Sequence, residues 1–424
     1  MNAVVSSRSK STESPSPSHL DLAIAAVPYS SNLGDGIIHD IMMRVVCDGG
    51  APVSVATLDL AGRSRYAGLD ADERSRRKNS LRLINSMPVF MRSGVVFTYA
   101  LLLYWRRTRA TYAAALRDAD HVIIGGGHLF SDFDLNFPAK LYCLYLSLKR
   151  FDVPFSVYGI GASDNWSPLG RHLLRKLLRS PLLRGVTVRD GYSRDVVMRE
   201  LQAVGRSVPV GEVWDPAVAT ALYHDAAPVP AHGATRHIGV NVADLKLLAG
   251  AGDRGTGIDE GREFFRLLVA RLGAQGYRVT LFTNGAEEDE SFLDRLCAVP
   301  GLDAGRASRP LTPDDLIALI RRFDAVISHR LHAHIVSFSY AIPSIGLGWD
   351  TKVASFFQRA GRAKFLVDPA KGAAPDAIVT HVLAVLADAR PPDPAFTRAA
   401  ALEARTQLQQ FVEKVVNHED PARR

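Results

Sequence analysis

The run from Phe323 to Lys352 admits few architectures. Phe323-Asp324-Ala325-Val326-Ile327 is short and apolar, the pattern of a buried strand, and Ile335 to Ala341 reads as an apolar helix. Ile342 to Gly348 reads as the next strand, and Trp349-Asp350-Thr351-Lys352 opens another helix. A strand–helix–strand–helix series belongs to an open, mainly parallel sheet. In such sheets ligands bind beyond the carboxyl ends of the strands and at helix N-termini. The connection at that point is Ser328-His329-Arg330-Leu331-His332-Ala333-His334. A guanidinium among imidazoles there makes an anion site with a proton donor attached, so the expected chemistry is on a small anionic molecule.

The rest of the chain repeats the alternation. Leu22 to Val27 is a β-rich run ending in the turn Pro28 to Gly36, after which Ile37, Ile38, Ile41, Met42 and Val45 fall at helical spacing. The turn lacks the glycine fingerprint of dinucleotide-binding loops, so NAD is not implied. Asp35 either helps to cap the helix or faces the crevice. Val53 to Leu58 is a second strand. His121 to Ile124 runs into Gly125-Gly126-Gly127-His128, where glycines let the backbone approach a ligand and present N–H groups to an anion. Pro154 to Tyr158 exits through Gly159-Ile160-Gly161-Ala162, and Gly185 to Val188 through Arg189-Asp190. Arg189 either pairs with Asp190 or Asp195, or contacts an anion. Asp215-Pro216-Ala217 closes the first half. The Ala/Pro/Gly-rich residues 224–236 have no period and read as a linker. His237 to Val242 and Tyr277 to Thr283 are strands of a second half, and Thr312-Pro313 starts a helix.

The expected organisation is a disordered Ser/Pro-rich tail (1–18), an α/β domain over 19–223, the linker, a second α/β domain over 237–390, and a C-terminal helix over 391–424 that crosses back to the first domain. The fold class is two Rossmann-like α/β domains facing each other across a cleft.

The net charge of +7 suits an anionic substrate or an anionic membrane face. No basic run is interleaved with aromatics in a known module, so nucleic acid is not expected as a partner. Cys47, Cys143 and Cys297 show no metal spacing or disulfide framework and read as reduced core thiols of a cytoplasmic protein. The apolar run from Val89 to Trp105, followed by Arg106, Arg107 and Arg109, is too short and interrupted to span a bilayer. It is expected as a buried helix, with an interfacial helix at the inner membrane face as the alternative.

Taken in order, Asn32-Leu33-Gly34-Asp35, Gly125-Gly126-Gly127, Gly159-Ile160-Gly161-Ala162, Val188-Arg189-Asp190 with Ser193, Asp215-Pro216-Ala217, Ser328 to Ala333, and Pro343 with Asp350 and Lys352 resemble the polysaccharide pyruvyl transferase family. Arg330-Leu331-His332-Ala333 is the most telling part. Ser30-Ser31 departs from the glycine that relatives often carry before the Asn. The resemblance implies a fold like that of the GT-B glycosyltransferases, phosphoenolpyruvate as donor substrate, no redox cofactor, and a pyruvate ketal on a sugar acceptor that can be lipid-linked. It matches Arg330 and His332 to the family's donor-site pair and Arg189 to a second donor-binding arginine. Leu331, Lys352, Gly126 and Gly127 join the donor side. Asn32, His128 and Asp164 are acceptor candidates, and Asp35 is a second catalytic candidate beside His332. A nucleotide-sugar-dependent GT-B glycosyltransferase and a non-catalytic carbohydrate-binding relative are the alternative readings. Spacing limits the central pair, because residues two apart on a regular helix do not share a face.

Overall fold

The computed structural model describes residues 19–50, 52–66, 89–224, 236–243, 258–348, 351–368 and 373–418. The expected tail, most of the expected linker, and the Trp349-Asp350 pair lie outside them.

Every strand pairing is parallel. The first sheet comprises β1 (Leu20–Ala26), β2 (Val53–Asp59), β3 (His121–Gly125), β4 (Phe155–Ile160), β5 (Leu183–Val188) and β6 (Val210–Glu212), in the order β2-β1-β3-β4-β5-β6. The second comprises β7 (His237–Asn241), β8 (Arg278–Phe282), β9 (Gly305–Arg306), β10 (Ala325–Ser328), β11 (Ser344–Leu347) and β12 (Leu366–Val367), in the order β12-β11-β10-β7-β8-β9. The strands at the centre of each sheet are buried along their whole length, which is why they read as continuous apolar runs rather than alternations.

Both sheets reverse direction once, the first between β1 and β3 and the second between β7 and β10. At such a reversal the two flanking connections leave toward opposite faces and open a crevice at the carboxyl end. The exits from β1, β3 and β10 therefore meet at the two reversals, and these exits, with the first helical turns that follow β1 and β10, carry Asp35, Gly127 and His332.

One face of the first sheet is covered by helices Arg109–Leu116, Asn136–Phe151, Pro168–Leu178 and Gly191–Ala203, which supply Tyr112, Leu144, Leu177 and Val197 to its core. The other face receives helix Leu33–Asp48 and the segment Pro216–Tyr223, and here the core runs without a break into the second domain. Helix Pro394–His418 lies on this side. Phe411 packs on Tyr158 with ring centroids 4.8 Å apart, and Trp214 donates from its backbone to Gln407 Oε1 (2.8 Å) and from its indole to Glu403 Oε2 (3.1 Å). Arg359, from the second domain, stacks over the Trp214 ring at 4.2 Å and donates to the carbonyls of Arg189 (3.0 Å) and Val213 (2.8 Å).

Two expectations are corrected. Cys47 is exposed rather than a core thiol; Cys143 is buried and Cys297 half-buried. The apolar run does not form a buried helix. It is helical over Val89–Leu103, passes through a π-helical turn at Tyr104–Thr108 and resumes as Arg109–Leu116, yet from Gly94 to Leu103 every side chain is exposed or half-buried. Its anchors are hydroxyl groups: Tyr104 bonds Ser147 Oγ (2.8 Å) and Tyr112 donates to the Leu60 carbonyl (2.8 Å). Hydrophobicity alone signalled burial, but the helix is tied to the domain by one face only.

Candidate functional site

The first turn of helix Leu33–Asp48 enters the crevice of the first sheet. Asn32 precedes it in extended conformation but makes no side-chain cap, and its buried Oδ1 has no hydrogen-bond partner. Leu33 N donates to the Asn284 carbonyl of the second domain (3.0 Å), which fixes how deeply the turn inserts. At Gly34 the insertion is so close that a Cβ would lie 2.2 Å from His332 Nδ1, so any side chain there would displace the imidazole. Asp35 is half-buried and points across the crevice rather than capping. Burial raises its carboxyl above the ordinary range, and the charges of His332, Arg189 and Lys352 act against that rise.

The glycine exits hold their loops against this turn. Gly126 and Gly127 both have φ of +76°, a region that L-residues with a Cβ rarely adopt. A Cβ on Gly127 would lie 3.0 Å from Asp35 Oδ1, so the bare backbone is what the carboxylate faces. Gly161, after β4, makes room for two side chains: its Cβ would meet His128 Nδ1 at 2.5 Å and Arg189 Nη2 at 2.6 Å.

Arg189 follows β5 and is buried. Nη1 donates to Asp215 Oδ2 at 3.2 Å, and Nη2 lies 3.4 Å from His128 Nδ1. Asp190, the neighbour expected to pair with it, is 3.7 Å away and mainly caps helix Gly191–Ala203 by accepting from Ser193 N (2.7 Å). The principal carboxylate is instead Asp215, which starts the turn Pro216–Ala219 and accepts from Ala217 N (3.1 Å).

His332 approaches Asp215 from the other domain, with Nε2 3.8 Å from Oδ2. That is too long for a direct hydrogen bond, and Nε2 is buried without a partner. Burial raises the Asp215 carboxyl, but His332 and Arg189 outweigh it and hold the group below the ordinary carboxylate range. Asp215 is thus an ionised bridge between an arginine of the first domain and a histidine of the second.

Arg330 and His332 diverge. Arg330 is the N-cap of helix Leu331–Ser339, and it turns to Asp289, bonding it through Nε (3.0 Å to Oδ2) and Nη2 (2.7 Å to Oδ1). Asp289 is fully buried, while the Arg330 side chain keeps 22% of its surface exposed, with Nη1 outside the pair. Its two neighbours in the motif are structural. His329 lies against Phe264 and Phe265, and His334 packs edge-on to Phe357 while its Nε2 bonds the Ser328 carbonyl (2.9 Å). Burial pushes His329 down to about 3 and His334 to about 4, so both are neutral near pH 7.

The structure therefore brings together Asp35, Gly127, His128, Arg189, Asp215 and His332, with the Lys352 charge acting on Asp35. It does not bring in Asp164, which pairs with Arg171 (3.3 Å) of helix Pro168–Leu178 and with Arg199 (3.1 Å) of helix Gly191–Ala203. The Leu331 side chain is buried in the core rather than in this cluster. Sequence reasoning missed Asp215 as a site residue. An Asp before Pro at a turn start did mark it as ordered, and its place in the family-like motif series was a signal that went without a role. Asp289 had no such signal among Glu287, Glu288 and Glu290, because only tertiary contact singles it out. Among the described residues no group of three or more His, Cys, Asp or Glu is placed to hold a metal ion.

Two opposed parallel sheets of this kind define the GT-B class, and solved structures agree. The chain is similar to UDP-GlcNAc 2-epimerase from Methanocaldococcus jannaschii, solved with UDP-GlcNAc and UDP (TM-score 0.53, 9% identity, covering 94% of this chain and 100% of that one). It is also similar to S. aureus MnaA solved with UDP (TM-score 0.54, 10% identity, 94% and 97%) and to a putative UDP-N-acetylglucosamine 2-epimerase from Listeria monocytogenes (0.54, 10%, 95% and 97%). At such identities the likeness speaks for the fold alone. No curated protein matches the chain. The family model described as polysaccharide pyruvyl transferase matches residues 32–351, well over half of the chain and all six clustered residues. The chain belongs to the polysaccharide pyruvyl transferase family.

Proposed function

We propose that this protein transfers pyruvate from phosphoenolpyruvate to a sugar of a polysaccharide or of its lipid-linked precursor, forming a cyclic ketal. The observation that carries this reading is His332: a buried imidazole with an unpartnered Nε2, beside an ionised carboxylate that also holds a buried arginine.

Phosphoenolpyruvate presents a carboxylate and a phosphate to be gripped and an enol methylene to be protonated. Arg189 and Lys352 supply cationic donors for the anionic groups, and Arg330 offers Nη1 while Asp289 fixes its plane. Protonation of the methylene by His332 leaves a cation-like centre at the adjacent carbon, and Asp215 stabilises the imidazolium that gives up this proton. A sugar hydroxyl attacks that carbon while losing its proton to Asp35, whose carboxylate burial makes more basic than an exposed one. The C–O bond to phosphate breaks, and a second hydroxyl closes the ring. Of the two hydroxyl protons lost, one replaces the proton placed on carbon and one leaves with phosphate. Asn32 and His128 border the same crevice and are the acceptor-side contacts of this reading.

The test uses labelled phosphoenolpyruvate with a panel of free and lipid-linked glycosides. The expected products are inorganic phosphate and an acid-labile pyruvate on the sugar. His332→Ala is expected to lower turnover by about 10²–10⁴ with an unchanged far-ultraviolet spectrum. Near-normal turnover in that variant would remove His332 from its role, and release of a nucleotide from a nucleotide sugar would replace the reading with glycosyl transfer.

A further inference from the structure

The apolar helix and its partner helix form a surface that the proposed chemistry does not use. Tyr99, Leu102 and Trp105 stand 57%, 50% and 59% exposed at helical spacing on one face of the 94–116 segment. Arg106 and Arg107 follow on the same exposed turn, and Arg109 lies over the Trp105 ring at 4.6 Å. No Asp or Glu occurs from Gly94 to Arg117, nor from Asn136 to Phe151 in the helix packed beside it, which adds Lys149 and Arg150. Between the two helices is a groove of about 320 Å³ whose polar lining is Arg106, Arg109, Arg117, Arg150 and Ser147, with Trp105 and Phe151 as its apolar walls. None of these four arginines makes an ion pair among the described residues.

Other arginines of the molecule, Arg171, Arg175, Arg306 and Arg330 among them, are matched with carboxylates. Unmatched guanidinia around a groove bind phosphate well, through paired charge-assisted hydrogen bonds. Exposed Tyr and Trp flanking them are the side chains that settle at the level of lipid headgroups, with an apolar body and a polar tip. An aromatic and leucine face ending in arginines, with no acidic residue, is the composition of an interfacial helix. No helix among the described residues is long and apolar enough to cross a membrane, so contact of this kind is along the surface.

We propose that this face docks on a bilayer containing anionic phospholipid, with Tyr99, Leu102 and Trp105 in the interface and the four arginines of the groove holding headgroup phosphates. The occupant is argued from charge: a second copy of the chain would bring the same cations against themselves. The proposal is independent of the donor the crevice takes.

The experiment is co-sedimentation of the full chain with vesicles of phosphatidylcholine alone or with 30 mol% phosphatidylglycerol (about a third anionic lipid, enough to set up a surface potential). Binding is expected to the mixed vesicles, to weaken as salt is raised, and to fall about fivefold for each groove arginine replaced. Arg106→Glu with Arg109→Glu should release the protein, and Trp105→Ala should weaken it, while melting temperature and turnover on a soluble acceptor stay as in the parent. Equal affinity for both vesicle types, or no response to the charge reversal, would overturn the proposal. So would failure to bind either vesicle by a protein that self-associates through this face, shown by Leu102→Ser converting a dimer to a monomer.

Discussion

Arg330 and His332 stand two residues apart and part company: one guanidinium turns to Asp289, one imidazole to Asp215. The residue scale is where reading from sequence was most incomplete. Which residue types would gather was legible, because chemistry-bearing side chains sat at strand exits. Which carboxylate would partner which cation was not, since Asp215 lies 117 residues from His332 and Asp289 lies 41 from Arg330, and no local rule pairs them. Asp35 allows a residue-scale prediction with a definite sign. Its folded-state carboxyl is raised, so it favours the fold while protonated, and that contribution is lost as pH rises through the raised value. Asp35→Asn should therefore gain melting temperature relative to the parent as pH is taken from 4 to 7. The same variant should lose activity by about 10²-fold or more, because it can no longer take a hydroxyl proton. Thermal melts at four pH values test the first half; a gap that shrinks with pH would mean that the carboxylate is better solvated than its burial implies.

Elements were easier. The Thr312-Pro313 start is a full capping box, with Asp315 returning to the Thr312 N–H, and β10 and β11 fall where apolar runs bounded by charge and glycine placed them. The apolar helix failed for a physical reason: hydrophobic composition specifies that a face is covered, not what covers it. Element packing also sets acid sensitivity. His39 in the first helix and His329 and His334 around the central motif are buried, and burial pushes them to about 4, about 3 and about 4. Each is depressed below its unfolded value of about 6.5. Their contribution is intact above that value and is lost as pH falls from about 6.5 toward 4. In that window each histidine contributes a slope of about 1.4 kcal/mol per pH unit. His39→Gln, which keeps a partner for the Thr57 hydroxyl that His39 Nε2 meets at 2.9 Å, should flatten the dependence by about one such increment in urea titrations between pH 5 and 6.5. A slope identical to the parent's would show that His39 is already protonated in the fold.

At the scale of the molecule, the site exists only because two sheets are held with their reversals opposed. The unbroken core across helix 33–48 joins them, while direction is set by polar contacts that only one arrangement satisfies. Arg359 is the clearest of these. From the second domain it reaches the carbonyls of Arg189 and Val213 and covers the Trp214 indole, so one side chain touches the backbone of the site arginine and the segment leading to Asp215. Hydrogen bonds from a charged donor contribute about 1.5–3 kcal/mol, and a part-buried cation–π contact about 1 more. Arg359→Leu keeps much of the volume and removes both. It should cost about 2–4 kcal/mol in urea unfolding, and it should lower kcat more than KM, because the Asp215–His332 approach is made across the same junction. Arg359→Lys should recover part of the stability but little of kcat, since an ammonium cannot hold two carbonyls and an indole in one plane. Equal recovery of both by lysine would show that the junction needs only a positive charge there, and the register of the two domains would then have to come from the apolar core alone.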